Sequence, residues 1–181
     1  MKNLNVIIFA SLIAASTSSF AMGVTAEQGK NFTNLTAEMG KASSGIYLEG
    51  NWMKNTQDGT QLGGAGAGYN LELGPVMVNL GAKATYLGPK KGDSGVAFPV
   101  GGGVSYALAD SVKIYGEGYS APKSLANSVK NYAEANAGIS WTPLTPVTLK
   151  AGYRYAGVDG KDGRPSHTLV DGLYVGGGVI F

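Results

Sequence analysis

The chain reads as all-β: a small antiparallel transmembrane β-barrel of eight to ten strands. Three observations predict it. Apolar and polar residues alternate with period 2 through most of the chain after residue 22, the signature of strands with two unlike faces. Charged residues are only 14% of the chain and glycine reaches 29 residues. Ordinary soluble domains carry about 25% charge, and glycine is poor in helices. Beyond the N-terminus, Gly, Asn or charge interrupts every apolar stretch before it reaches the roughly 20 residues of a membrane-spanning helix.

The first segment is read as a secretory signal peptide, residues 1–21. Lys2 supplies a positive start, Leu4 to Ala15 is an apolar run, and Ser19-Phe20-Ala21 is a small-x-small cleavage site. No Cys follows it, so a lipoprotein anchor is not expected, and residues 22–181 form the barrel as one domain. The absence of Cys removes disulfides and thiolate metal sites. With 14 basic and 12 acidic residues, the charge balance gives no support for a nucleic-acid partner.

The strands follow in order. Phe32–Met39 sets Leu35, Ala37 and Met39 against Asn34, Thr36 and Glu38. In Ser44–Lys54, Ile46, Leu48 and Trp52 oppose Tyr47, Glu49 and Asn51. Gln61–Leu73 sets Ala65, Ala67, Tyr69 and Leu71 against Gly64, Gly66, Gly68, Asn70 and Glu72. Val76–Tyr86 turns Val78, Leu80, Ala82 and Ala84 away from Asn79, Lys83 and Thr85. Val96–Leu108 carries Phe98, Val100, Val104 and Tyr106 on one side, and Val112–Tyr119 opposes Ile114 to Lys113, Tyr115 and Glu117. Tyr132–Thr142 sets Ala135, Ala137, Ile139 and Trp141 against Glu134, Asn136 and Ser140. Val147–Tyr155 sets Leu149, Ala151 and Tyr153 against Thr148, Lys150 and Arg154. The last strand runs from Thr168 to Phe181.

Connections alternate in length. Long polar ones cover Asn55–Thr60, Gly88–Gly95, Ser120–Asn131 and Ala156–His167; short ones cover Gly40–Ser43, Gly74-Pro75, Ala109–Ser111 and Pro143–Pro146. Transmembrane barrels keep short turns on the periplasmic side and longer loops outside, and their strand number is even. The nine strands above break that parity. Either Val24–Gln28 adds a tenth through a tight Gly29-Lys30-Asn31 turn, or the first strand lies outside an eight-stranded barrel. Ten is the favoured reading.

The charges decide which face meets lipid. Glu49, Glu72, Glu117 and Glu134 share the polar faces with Lys83, Lys113, Lys150 and Arg154. A Lys or Arg on the lipid face costs about 2–4 kcal/mol at the midplane, so these faces are assigned to the lumen. Opposite charges in equal number fit a narrow interior where each buried ion needs a partner. Aromatics gather at both ends of the apolar face: Trp52, Tyr86, Phe98 and Tyr155 toward the long loops, Tyr106, Trp141 and Phe181 toward the short turns. They match the interfacial girdles of membrane barrels. The luminal glycines either widen the lumen or let Tyr47, Tyr115, Tyr119 and Tyr174 fold across it.

The final strand carries a further signal. Tyr174, Gly176, Gly178 and Ile180 share one face, Val175, Val179 and Phe181 the other, and the chain stops on the aromatic. Tyr174, Gly176, Val179 and Phe181 resemble the C-terminal signal that the barrel-assembly machinery reads. Gly50-Asn51-Trp52, Leu73-Gly74-Pro75, Val100-Gly101-Gly102-Gly103 and Tyr132-Ala133-Glu134-Ala135-Asn136-Ala137-Gly138 resemble the YfaZ family of Gram-negative outer-membrane proteins. So do Ala151-Gly152-Tyr153-Arg154-Tyr155, Gly160-Lys161-Asp162-Gly163 and Asp171-Gly172-Leu173-Tyr174-Val175-Gly176. The resemblance covers nearly the whole chain after the signal peptide. It implies an integral outer-membrane barrel, exported through the periplasm, with no established activity and no family catalytic residues to carry over.

Catalytic chemistry has little to stand on. The one His, His167, follows Ser166 and precedes Asp171, but adjacent residues of a strand point to opposite faces, a poor geometry for Ser-to-His proton transfer. Asp159-Gly160-Lys161-Asp162-Gly163 lacks the spaced carboxylates of a calcium loop. No cofactor is expected. The leading expectation is a structural or interaction protein of the outer membrane. A narrow, weakly selective porin-like channel is the alternative, and an outer-rim hydrolase the third reading. Expected partners are membrane lipid, lipopolysaccharide (through Lys90-Lys91, Lys123 and Lys130 in the outer loops) and the assembly machinery. The barrel is expected to be a monomer.

Overall fold

Alternation builds a wall that bends back on itself. The computed structural model describes residues 21–88, 94–127, 130–159 and 166–181. Residues 1–20 of the expected signal peptide, Lys90-Lys91 and the Gly160-Lys161-Asp162-Gly163 motif lie outside them. The strands are β1 (Met22–Gly29), β2 (Phe32–Met39), β3 (Gly45–Asn55), β4 (Gln61–Leu73), β5 (Val76–Gly88) and β6 (Gly95–Ala97). They continue with β7 (Val100–Ala109), β8 (Val112–Ala121), β9 (Asn131–Leu144), β10 (Val147–Asp159) and β11 (His167–Ile180). Each pairs antiparallel with its neighbours, and β1 pairs with β11 to close the ring. Closure removes the free edges that an open sheet would present to lipid.

The ring has ten staves, because β6 and β7 are one strand in two pieces. Leu87 faces Gly95 and Thr85 faces Ala97; Ala82 faces Val100 and Val76 faces Tyr106. The register carries straight through the break, where Lys83 N–H donates to Pro99 C=O at 2.9 Å. Pro99 has no N–H to return, and that splits the strand. The tenth stave is β1, reached from β2 by the tight turn at Lys30-Asn31 as expected. An eight-stranded barrel with the first strand outside it is not found.

The β2–β3, β4–β5, β7–β8 and β9–β10 turns lie at one end with Met22 and Phe181, and the tight β1–β2 turn lies at the other. At Gly74-Pro75, Leu73 faces Val76 and Gly74 has φ +63°, a value glycine adopts without steric cost in a two-residue hairpin. At the seam Met22 and Phe181 exchange both backbone hydrogen bonds, at 3.0 and 2.8 Å. The outer face is apolar: Ile46, Leu71, Leu80, Ile139, Leu173 and Val175 are all exposed, Leu173 to 74%. Such a face is stable only against hydrocarbon. The two aromatic girdles are exposed where the sequence places them. On this face, Lys54 and Asp171 lie toward the loop end, and Asp171 accepts a hydrogen bond from Tyr153.

Candidate functional site: the ion-paired lumen and its vestibule

The lumen is divided along its length. Its loop-side half is a packed core of inward-facing, mostly apolar side chains, among them Phe32, Met53, Leu62, Leu87, Tyr132 and Val170. Phe32 (0% exposed) meets Tyr174 edge-to-face with ring centroids 6.4 Å apart. The β8–β9 connection folds over this core through a 3-10 turn at Lys123–Leu125, where Leu125 and Ala126 pack against it. Phe98 N–H donates to Leu125 C=O at 2.7 Å and Asn127 N–H to Val96 C=O at 3.1 Å. The loop thus covers the piece of β6 that β8 leaves unpaired.

Below the plug runs a belt of ion pairs. Lys83 Nζ bridges Glu49 (2.9 Å) and Glu134 (2.7 Å). Lys41 bridges Glu49 and Glu117, the latter at 3.1 Å, and Arg154 pairs with Glu27 at 2.8 Å. Neutral groups complete the oxygens: Asn136 donates to Glu117 at 3.2 Å, Tyr132 to Glu134 at 2.7 Å and Asn34 to Glu27 at 3.0 Å. Charges this buried are tolerable because each is paired and hydrogen-bonded.

Tyrosines lie across the lumen and lock the belt. Tyr47 and Tyr119 hydroxyls meet at 3.0 Å, Tyr115 bonds to Tyr174, and Tyr174 donates to Asn136 at 2.8 Å. Lys83 Nζ stands 3.9 Å from the Tyr119 ring centroid, within cation–π range. Of the two roles open to the luminal glycines, this is the second. A Cβ on Gly68 would come within 2.5 Å of the Tyr47 ring, and one on Gly152 within 2.8 Å of the Tyr174 hydroxyl.

Five of the eight luminal charges read from the sequence meet in the belt: Glu49, Lys83, Glu117, Glu134 and Arg154. Three do not. Glu72 is exposed at the turn end of β4, and Lys113 and Lys150 line the space below the belt without a carboxylate partner among the described residues. Glu27 and Lys41, absent from the sequence reading, take their places. Glu27 was legible by parity, since it shares a face with Thr25 and opposes Val24 and Ala26 on β1. Lys41 was not, because a turn residue has no parity. Its position comes from Asn70, which donates to Gly40 C=O and Ser43 C=O, both at 2.9 Å, and so pins the β2–β3 turn. Burial alone would lower the Lys41 pKa, but Glu117, Glu49 and Glu38 hold it well above the usual lysine value.

The turn-side half is open. A cavity of about 320 Å³ reaches from the turns at Lys41-Ala42, Asp110-Ser111 and Thr145 up to Glu117 and Arg154. Among the described residues this space is a vestibule roofed by the belt and plug. Of the last-strand signal residues, Tyr174 and Gly176 face the lumen while Val179 and Phe181 face outward, Phe181 exposed. At the loop end, Ser166 donates to Asp159 at 3.0 Å and Asp171 accepts from Tyr153, so neither is joined to the exposed His167. Among the described residues no group of His, Asp or Glu is placed to hold a metal.

A closed ten-stave barrel with an apolar exterior and a charged, paired interior is a small integral protein of the outer membrane. The family model described as YfaZ precursor matches residues 1–181. The outer membrane protein YfaZ of Escherichia coli (strain K12) is 40% identical over 181 residues, covering 100% of both chains. The chain belongs to the YfaZ family. Looser likenesses extend to the outer membrane channel DcaP of Acinetobacter baumannii: 13% identity, 92% of this chain, 60% of that one, TM-score 0.48. A de novo designed transmembrane β-barrel is 14% identical, covering 90% of this chain and 94% of that one, with TM-score 0.41.

Proposed function

We propose that the protein is a closed-lumen barrel of structural or interaction type, working through its two ends rather than by conducting solutes. The plug carries this reading. Phe32, Met53, Leu62, Leu87 and Tyr132 fill the loop-side half of the lumen, and a dense apolar core admits neither water nor ions. Beneath it the five ion pairs span the lumen, and each of their three cations and four carboxylates is held by an opposite charge rather than left free to meet a permeant ion. Long loops outside, with Lys123 and Lys130 exposed, suit contact with lipopolysaccharide phosphates. The last strand suits recognition by the assembly machinery, and the barrel is read as a monomer. Ser166 and Asp171, bonded elsewhere, lend no support to acyl transfer.

Planar-bilayer recording of the refolded, heat-modifiable barrel tests this. The expected result is a silent membrane. Reproducible single-channel openings that change when Arg154 or Glu134 is neutralised would make the protein a channel and overturn the reading.

A further inference from the structure

The belt accounts for Lys41, Lys83 and Arg154 but leaves two luminal cations over. Lys113 on β8 and Lys150 on β10 both face Ser140 on β9, one from each side. Strands lie about 4.8 Å apart, so the two side chains leave the wall on the order of 10 Å from each other. Four-carbon arms can converge on one anion from there. Like charges placed this close across strands repel. Lys113 is exposed at the open side of the cavity and Lys150 is half-buried, so both stand ready for an anion, whereas the other three cations are largely buried and already paired. Glu38 and Asp110 line the same cavity, yet among the described residues neither forms an ion pair with these lysines. Lys150 has only the Tyr115 ring, its Nζ 5.9 Å from the centroid.

The rest of the wall is hydroxylic. Ser140, Ser105, Thr142 and Thr148 line the cavity, with Thr142 and Thr148 hydroxyls 2.9 Å apart. Two buried polar atoms of the lining have no partner among the described residues, the Asn79 Oδ1 acceptor and the Arg154 Nε donor. A volume of about 320 Å³ lies at the small end of ligand pockets, roughly 300–1,000 Å³. Cations for a charged head, hydroxyls and an amide for a polar body, and monosaccharide size together define a ligand.

We propose that the vestibule binds a small, hydroxyl-rich organic anion, of sugar-acid or sugar-phosphate type, entering from the turn side and held by Lys113 and Lys150 across Ser140. The site lies below the belt and does not depend on whether the lumen conducts, so it stands or falls separately from the closed-lumen reading.

Calorimetric titration of the folded barrel in non-ionic detergent tests it, with glucuronate, glucose 6-phosphate and uncharged glucose as probes. Saturable binding of at least one anion is expected, weakening with added salt, and whichever anion binds tighter identifies the head group. Glucose is expected to bind at least tenfold more weakly. Lys113→Gln and Lys150→Gln are each expected to raise Kd by about tenfold or more. Neither lysine supports the fold, so heat-modifiable mobility is expected to stay unchanged and serves as the control. The proposal is overturned if neither anion binds to folded protein, if glucose binds equally well, or if a folded Lys113→Gln/Lys150→Gln double variant binds as the wild type does.

Discussion

Lys83→Met is expected to lower the unfolding free energy of the barrel by about 3–5 kcal/mol, the usual cost of removing one partner from a buried ion pair. Lys83 is the node between Glu49 and Glu134, with its side chain only 10% exposed. Methionine matches its length and keeps the packing against Tyr119. Lost are the charge and its cation–π contact, while Glu49 and Glu134 remain buried. Glu49 retains Lys41 and Glu134 retains the Tyr132 hydroxyl, which bounds the loss. Adding Glu134→Gln is then expected to recover part of it, because one uncompensated charge disappears. Urea unfolding in detergent, followed by mobility and tryptophan emission, measures the midpoint. A Lys83→Met midpoint equal to wild type would mean the belt adds nothing to stability.

The second large effect belongs to the plug. Phe32→Ala removes a fully buried ring that packs on Tyr174, and Phe-to-Ala changes in packed cores cost about 3–5 kcal/mol. Little can move in to refill the space. Gly29 lies directly against the ring, where even a Cβ would stand 2.2 Å from Phe32 Cε1, and the wall behind is hydrogen-bonded sheet. Phe32→Leu, which keeps most of the volume, is expected to cost well under half as much. The same urea series checks both, and equal midpoints for Phe32→Ala and Phe32→Leu would count against a close-packed plug. Plug and belt are also joined, since Tyr132 packs in the first and donates to Glu134 of the second. Damage to either is expected to loosen the other, so a Lys83→Met/Phe32→Ala double variant should depart from additivity.

Much of this architecture was legible in the sequence because one rule, alternation, governs a barrel wall. The rule placed Ile46, Leu80 and Val175 outward and Glu49, Lys83 and Arg154 inward, as found. Even parity selected β1 as the tenth stave. Parity gives a face, however, and neither height along the barrel nor partner. Glu72 and Lys113 share a parity with the belt but sit near the turn ends of β4 and β8, beyond its reach. Lys41 reaches the belt from a turn, held there by the Asn70 amide. The plug is less legible for a different reason. The expected strands stop at Tyr86 and Tyr119, short of Leu87 and Ala121, and Met53 is a single apolar residue that shares the inward parity of Tyr47 and Glu49. Carrying the alternation to the true strand ends would have shown the inward face turning apolar toward the loops.

Access to the lumen from the turn side, with a seal at the loop side, is directly testable. The chain has no cysteine, so single-cysteine variants report access directly. Ser140→Cys in the vestibule and Met53→Cys in the plug, in oriented outer-membrane vesicles, would be exposed to a membrane-impermeant thiol reagent from either face. Labelling of Ser140→Cys from the periplasmic face alone and protection of Met53→Cys from both are expected. Labelling of Ser140→Cys from the outer face, in a barrel that remains heat-modifiable, would contradict it.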